Sequence, residues 1–361
     1  MADENTIKRI QSLSDLELAV LICLIAHEHC VINTALVCLD NVACELELIA
    51  TKVFGLRSVV VECSRNITAD EFVNRIISSE ASDTWSNSQF VTRQDRYSRN
   101  SIPLTTHYRS LYSHQKGKKP SIVKVIIAKN LNRASQNVQL QALELMRTGI
   151  VTSKTSENHA SRQLLFVLVQ EGRDCSSLMK HINDYIFISH LHHVDDELLN
   201  LEESLKNEDS SSSVTKRGPT HLISEETITP IISTQEIEHL IELSNTAIIN
   251  VEVKRYQMSI ISFLRLHRAV AGGITASATR KFEKLAKCLA PLHNLNYVTP
   301  ALVALAAKKI YSHRIRIVKP EEERSLQWGS DIEAVTALLE GIGAEEVLEE
   351  VLGFSGAEAP L

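Results

Sequence analysis

The stretch SIVKVIIAKNLNRASQNVQLQALELMRTG, residues 121–149, decides the fold class. Its first eight residues are rich in β-branched side chains and predict a strand buried on both faces. A helix follows, and Gly149 stands where a helix commonly ends in a left-handed residue. A buried strand that leads into a helix is the repeating unit of α/β proteins.

Four other segments predict further strands of the same sheet. They are CVINT (30–34), SVVVEC (58–63), QLLFVLVQ (163–170) and DYIFISH (184–190). The segments between them have helical spacing; one helix begins at Ser14 or Asp15, and another is capped by Thr68. Strands that alternate with helices favour a parallel α/β sheet.

Two polar stretches divide the chain. Residues 12–195 form the predicted α/β core, with a loop insertion at about 79–120. Residues 196–232 cannot bury enough apolar surface to order themselves and are predicted to be a linker. Residues 233–318 predict an all-α domain, and 319–361 an acidic helical tail.

Start signals and apolar stripes define the helices of the second domain. Ser233 and Glu236 fit a capping box, and Thr299 followed by Pro300 fits a cap with a first-turn proline. A long helix is predicted to run to Gly272–Gly273. The apolar faces expected to be buried in these helices are Tyr256, Ile260, Phe263 and Leu264, then Phe282, Leu285, Ala286 and Leu289.

Bulk properties exclude several classes of protein. The formal charge of −6 gives no general argument for nucleic acid or an anionic membrane, and no apolar run reaches the roughly 18 residues that span a bilayer. The first residues carry acid where a secretory signal needs base. Seven cysteines without a C-x-x-C pair indicate a reducing compartment, so we expect a cytoplasmic or nuclear protein.

The run FLRLHRAVAGGITASATRKFEKLAKCLAPLHNLNYVTPALVALAAKKIYSHRI, residues 263–315, resembles the lid domain of the MoxR and magnesium-chelatase branch of AAA+ ATPases. VIIAKNLNRASQNVQLQALELMRTG (125–149) resembles that branch's Walker B strand, NRA turn and next helix. The resemblance implies an AAA+ α/β domain followed by a helical lid. It also implies ATP and Mg²⁺ as cofactors, and insertion of magnesium into protoporphyrin IX as the family activity.

The phosphate-binding loop of that family does not survive in this sequence. Such a loop needs glycines, so that backbone N–H groups can wrap the phosphates, followed by a lysine and a hydroxyl that binds magnesium. After the strand CVINT, the aligned positions place Thr34 and Leu39 at the glycines. Asp40 stands at the lysine and Asn41 at the magnesium ligand. These four residues are the predicted degenerate Walker A site.

The other ATP-handling positions agree. Lys129 and Asn130 replace the Asp-Glu pair that holds magnesium and activates water. The polar sensor of the family falls near Gln170–Glu171, and its arginine before the last strand falls near Asn183–Asp184, where no arginine stands. Ser277 occupies the second-sensor arginine position, and Arg280, one helical turn away, is a candidate for a residual phosphate contact.

Three further candidate sites have ordinary alternatives. His190 and His192, with His193, Asp195 and Asp196, fit either a metal site or a polar strand end with solvated imidazoles; we favour the latter and predict no metal. His27 and His29 are expected to be structural. Cys63 and Cys175 lack a nearby base, so nucleophilic catalysis is not expected.

Two charged segments suggest partners. Residues 93–119 contain seven basic side chains, one acid and three tyrosines, a composition that suits a solvated loop or a nucleic-acid contact. The acidic tail predicts an amphipathic segment with Ile332, Val335, Leu338 and Leu339 on its apolar side, packed on the lid or a neighbouring subunit.

These observations lead to one principal hypothesis and two alternatives. The principal one is a non-catalytic AAA+-like scaffold or assembly subunit with protein partners, including AAA+ subunits or a second copy, and with no cofactor. The first alternative is an active magnesium-chelatase ATPase subunit that uses ATP and Mg²⁺. The second is a nucleic-acid-associated factor that binds through residues 93–119.

Overall fold

A computed structural model describes residues 4–77, 123–152, 157–159, 164–172, 178–196, 198–202, 230–353, 357 and 359–360. The predicted insertion at 79–120, with its basic segment, lies outside the described residues, as do Cys175 and most of the predicted linker. No helix in these ranges is long and apolar enough to cross a membrane.

Five parallel strands form the central sheet. They are β1 (Cys30–Thr34), β2 (Ser58–Glu62), β3 (Val125–Lys129), β6 (Leu165–Glu171) and β7 (Ile188–Leu191), in the order β2-β3-β6-β1-β7. All of their described pairings are parallel. From β1 the chain passes to the far edge at β2, returns through β3 and β6, and then crosses β1 to reach β7. The order in which the strands are added therefore switches sides at β1. Crevices at such switch points, outside the carboxyl ends of strands, are where open α/β sheets bind ligands.

The α-helices of this part whose bounds lie within the described residues are six. They are α1 (Glu4–Gln11), α2 (Asp15–Ala26), α3 (Leu39–Leu48), α4 (Ala69–Ile77), α5 (Gln136–Thr148) and α6 (Lys180–Tyr185). Ser14 caps α2 in a capping box with Glu17, and Thr68 accepts a hydrogen bond from the Glu71 N–H. Gly149 ends α5 at φ 66°, as predicted. A short antiparallel pair, β4 (Ile150–Thr152) and β5 (Glu157–His159), follows α5.

The carboxyl-terminal part contains α7 (Thr234–Thr246), α8 (Val251–Leu266), α9 (Ala276–Leu292), α10 (Pro300–Tyr311), α11 (Ile332–Leu339) and α12 (Ala344–Leu352). The capping box of Ser233 and the Thr299 cap are both present. The helical lid predicted from the sequence is present, and it also contains one short pair of strands that the sequence did not predict. Strands β8 (Val270–Gly272) and β9 (Arg316–Ile317) pair in antiparallel fashion.

That pairing corrects the end of the long helix. It ends at Leu266 and not at Gly272–Gly273, because the residues after it pair with a strand about 45 positions away. Phe263, on the apolar face predicted for this helix, is 44% exposed. Ile332 and Leu338, predicted to pack on the lid or on a neighbouring subunit, are 47% and 45% exposed in the single chain. Phe263 lies beside the buried stripe of α8, which runs through Val253, Tyr256, Ile260 and Leu264.

Two apolar cores lie on opposite faces of the sheet. One packs α4, α5 and α6 against alternate strand residues, including Val31 and Ile126. The other begins at Cys30 and Ile32, continues through α2 and α3, and extends into α7–α10 and α12 without interruption. The helical part therefore packs on the α/β part through one shared core.

Candidate functional site

The carboxyl end of β1 leads into α3 through a tight turn. A short 3₁₀ segment, Leu36–Cys38, connects the strand to the helix. Leu39, the first residue of α3, is buried in the core, whereas the next two residues, Asp40 and Asn41, are exposed. None of residues 34–41, all of which the structure describes, has a positive φ. The turn therefore enters the helix directly and lacks left-handed backbone.

Asp40 and Lys129 meet at this edge of the sheet. The Lys129 ammonium, at the end of β3, lies 2.5 Å from a carboxylate oxygen of Asp40 and 3.8 Å from one of Glu62. The Lys129 side chain is 13% exposed and that of Asp40 is 80% exposed. The structure thus joins two of the residues singled out in the sequence into one ion pair.

Other polar side chains along the edge also bond to one another. The Gln170 amide donates to the Asn33 side-chain oxygen at 3.0 Å, and Arg133 pairs with Glu171. The Thr34 hydroxyl lies 3.3 Å from Nδ1 of His192. These contacts join the ends of β1, β3, β6 and β7.

Asn130 takes a strained backbone conformation at the end of β3. Its φ is 55°, and its N–H donates to the Val169 carbonyl at 2.8 Å. Its side-chain oxygen is buried and accepts no hydrogen bond from a described residue. A left-handed asparagine is tolerated more readily than most residues, and here it turns the chain away from the sheet.

Ser277 and Arg280 lie at the opposite edge of the sheet. The Thr275 hydroxyl, which caps α9, donates to Asp184 at 2.6 Å, and Asp184 precedes the amino end of β7. The length of β1, roughly 13 Å at about 3.3 Å per residue, separates the amino edge of the sheet from its carboxyl edge. Within one chain, the structure therefore does not bring Ser277 or Arg280 to residues 34–41.

Two histidines at the carboxyl end of β7 are buried: His190 in the strand and His192 just after it. His190 is 6% exposed and His192 is 3% exposed, which corrects the expectation of solvated imidazoles. Burial lowers the pKa of His190 to about 4, so this imidazole is neutral near pH 7. In the part of the chain that the structure covers, no group of three or more His, Cys, Asp or Glu side chains could hold a metal.

His29 and Cys63 are also buried. Burial lowers the pKa of His29 to about 4, and its Nε2 donates to the Met146 carbonyl while Nδ1 accepts from the Phe166 N–H. Burial raises the pKa of the Cys63 thiol to about 12, which leaves it protonated. A protonated buried thiol is a poor nucleophile.

Sequence reasoning missed a polar junction between the helical part and the sheet. Arg314 is 3% exposed and donates to the backbone carbonyls of Asp184, Ile186, Phe187 and Ile310. Burial lowers its pKa to about 10, so the guanidinium stays charged near neutral pH. The only sequence signal was the HRI triplet of the resemblance, which does not reveal what the arginine contacts.

Glu28 completes this junction. Its carboxylate lies 3.2 Å from the Lys281 ammonium and 2.8 Å from that of Lys284, both on α9. Burial opposes ionisation of Glu28, but the two ammonium groups outweigh it and its pKa lies below the ordinary value. The Lys281 ammonium also lies 4.6 Å from the centre of the Tyr185 ring.

Comparisons with known proteins agree with this architecture. A family model described as an AAA lid domain matches residues 262–335. A solved structure of a candidate ATPase from Cytophaga hutchinsonii superposes with a TM-score of 0.59 over 93% of this chain and 95% of that chain, at 14% identity. No curated protein matches the sequence. The chain therefore has the AAA+ fold, a parallel α/β domain followed by a helical lid.

Proposed function

We propose that this chain is a non-catalytic AAA+-like subunit, a pseudo-ATPase of the magnesium-chelatase and MoxR branch that acts as a scaffold or assembly partner. The observation that carries the proposal is the ion pair between Asp40 and Lys129. By the resemblance of the sequence, Asp40 stands at the family's phosphate-binding lysine and Lys129 at its magnesium-binding acid, so the two charges would be exchanged.

The exchanged charges oppose a magnesium–triphosphate complex. At roughly 4 Å and an effective dielectric of about 20, each charge–charge contact contributes about 4 kcal/mol. A carboxylate at position 40 replaces an attraction to the phosphates by a repulsion, and the Lys129 ammonium cannot ligate a cation. Glu62 and Glu171 add further negative charge at the same edge.

The backbone conformation of the turn and the size of its side chains support the same proposal. Phosphates are held by backbone N–H groups that a glycine-rich loop leaves uncovered. Here Leu39 buries its side chain in the core, and residues 34–41 have no left-handed position. Neither the turn nor the side chains at this edge suit a bound triphosphate.

The retained lid favours a role in assembly. The lid shares one apolar core with the α/β domain, and Arg314 fixes it to the backbone that leads into β7. A fold kept whole beside a site that does not suit its ligand is expected of a subunit that contributes surface and not turnover. We propose AAA+ subunits or a second copy of this chain as partners.

Hydrolysis assays on matched variants test the proposal against the active-ATPase alternative. We expect no phosphate release above background from the native chain with Mg²⁺ and ATP. Asp40→Lys should also be inactive, because the glycines and the Walker B acids remain absent. The double variant Asp40→Lys, Lys129→Asp restores the ordinary charge order and should still fail. Turnover by the native chain that Asp40→Ala abolishes would refute the proposal.

A further inference from the structure

A cavity of about 310 Å³ lies between the α/β domain and the lid, apart from the carboxyl edge described above. Side chains of α1, α2 and β7 line one side, and side chains of α9 and α10 line the other. Its volume is at the lower end of the roughly 300–1,000 Å³ found for ligand pockets.

The body of the cavity is apolar. Leucine and isoleucine side chains from both domains form its wall, including Leu18, Ile22, Leu285 and Leu289. Ala19 contributes only a methyl group to this wall, which leaves room between the helices. An aliphatic or aromatic group of moderate size would be removed from water there at about 25 cal/mol per Å².

Five polar side chains line the same cavity: Asp15, His190 and Lys309, together with Gln11 and His293. His190 is 94% buried and makes no hydrogen bond to any residue in the described ranges. The Lys309 ammonium and the Asp15 carboxylate do not pair with each other, and within the described part of the chain neither is in an ion pair. The wall therefore offers one cation, one anion, one carboxamide and two imidazoles, of which His190 is the buried one.

This combination selects the class of ligand. An apolar monocarboxylate would be repelled by Asp15, and an apolar amine would be repelled by Lys309. A zwitterion with an apolar side chain satisfies both charges, and its carboxylate can also accept a hydrogen bond from His190. His190 is buried, whereas Lys309 is half-buried and Asp15 is exposed. A buried polar group without a partner is costly, so a ligand that supplies a partner for His190 gains specificity.

We propose that this cavity binds a free α-amino acid with a large apolar side chain, with its carboxylate at Lys309 and His190 and its ammonium at Asp15. Because α9 and α10 belong to the lid, the bound amino acid contacts both domains at once. The proposal does not depend on the state of the ATP site.

Calorimetry of the full chain with L-phenylalanine, L-tryptophan and L-leucine tests it. The comparison ligands are 3-phenylpropionate, which lacks the ammonium, and 2-phenylethylamine, which lacks the carboxylate. We expect saturable binding of at least one amino acid, and at least tenfold weaker binding of both comparison ligands. No saturable binding of any of the three amino acids would overturn the proposal.

Variants locate the site. Lys309→Met should weaken amino-acid binding at least tenfold, and Asp15→Asn should do the same, while the neighbouring Lys308→Met leaves it unchanged. Ala19→Phe should fill the cavity and abolish binding, with circular dichroism used to verify that the chain folds. If Lys309→Met and Lys308→Met behave alike, or if neither Asp15→Asn nor Ala19→Phe changes the affinity, binding occurs elsewhere and the proposal is wrong.

Discussion

The ion pair between Asp40 and Lys129 is the residue-scale feature on which the proposed function depends. Asp40 is mostly exposed, so the pair should contribute no more than about 0.2–1 kcal/mol to the free energy of unfolding. A double-mutant cycle with Asp40→Asn and Lys129→Met, measured by urea unfolding, should give a coupling energy in that range. The exposed neighbour Asn41→Ala serves as the control. A coupling energy of zero would mean that the two charges do not interact in solution.

His29 predicts a pH dependence of stability. Its folded pKa is about 4, below the ordinary 6.5, so from pH 6.5 down to 4 the unfolded chain binds a proton that the folded chain does not. The free energy of unfolding should therefore decrease as the pH is lowered from 6.5 to 4, by up to about 3 kcal/mol from this group. His29→Gln keeps a donor for Met146 and should flatten the slope by one proton. The exposed His239→Gln should leave the slope unchanged, and equal slopes for both variants would contradict the assignment.

The sequence located Asp40 and Lys129 but not their contact. Lys129 ends a segment with a clear strand pattern, and Asp40 follows another such segment at the start of α3. Their places near the carboxyl edge therefore follow from the topology of a parallel sheet. The contacts of Arg314 could not be predicted in this way. An arginine near the end of a helix is ordinarily solvated, and only the position of the lid on the sheet buries it against four carbonyls.

At the scale of single elements, two glycines have positive φ but different surroundings, so the same substitution can be compared at both. Gly273 has φ +107°, and a Cβ added there would lie 1.9 Å from the Arg314 carbonyl oxygen. Gly329 has φ +87°, with nothing within 4 Å of an added Cβ. Gly329→Ala should cost about 1 kcal/mol for the backbone alone. Gly273→Ala should cost a further 1–3 kcal/mol or so, because the contact is with backbone. Equal losses in urea unfolding would show that β8 and β9 do not hold this close approach.

Helix starts were the most predictable elements, because the signals are local. Ser14, Ser233 and Thr299 each accept the expected backbone hydrogen bond. Strands β8 and β9 were not predictable, since each has three residues or fewer and pairs with a distant segment. The buried faces of α8 and α11 were predicted in part, because exposure depends on which neighbours cover a helix.

At the scale of the whole molecule, one apolar core joins the lid to the α/β domain. The chain should therefore unfold in a single cooperative transition, with the calorimetric enthalpy equal to the van't Hoff enthalpy. Arg314→Met should lower the transition temperature, because several buried carbonyls lose their charged donor. Two resolved transitions in the native chain would contradict a shared core. The sequence predicted the two parts but not their union, which depends on how the lid lies against α2.

Titration calorimetry of the native chain with ATP and Mg²⁺ is the most direct test of the proposal that this protein does not bind ATP. We expect no saturable heat at millimolar ATP, since the turn that begins at Thr34 presents a carboxylate and a buried leucine where phosphates would need an ammonium and open backbone. Micromolar affinity that is lost in the Lys129→Met variant would contradict it.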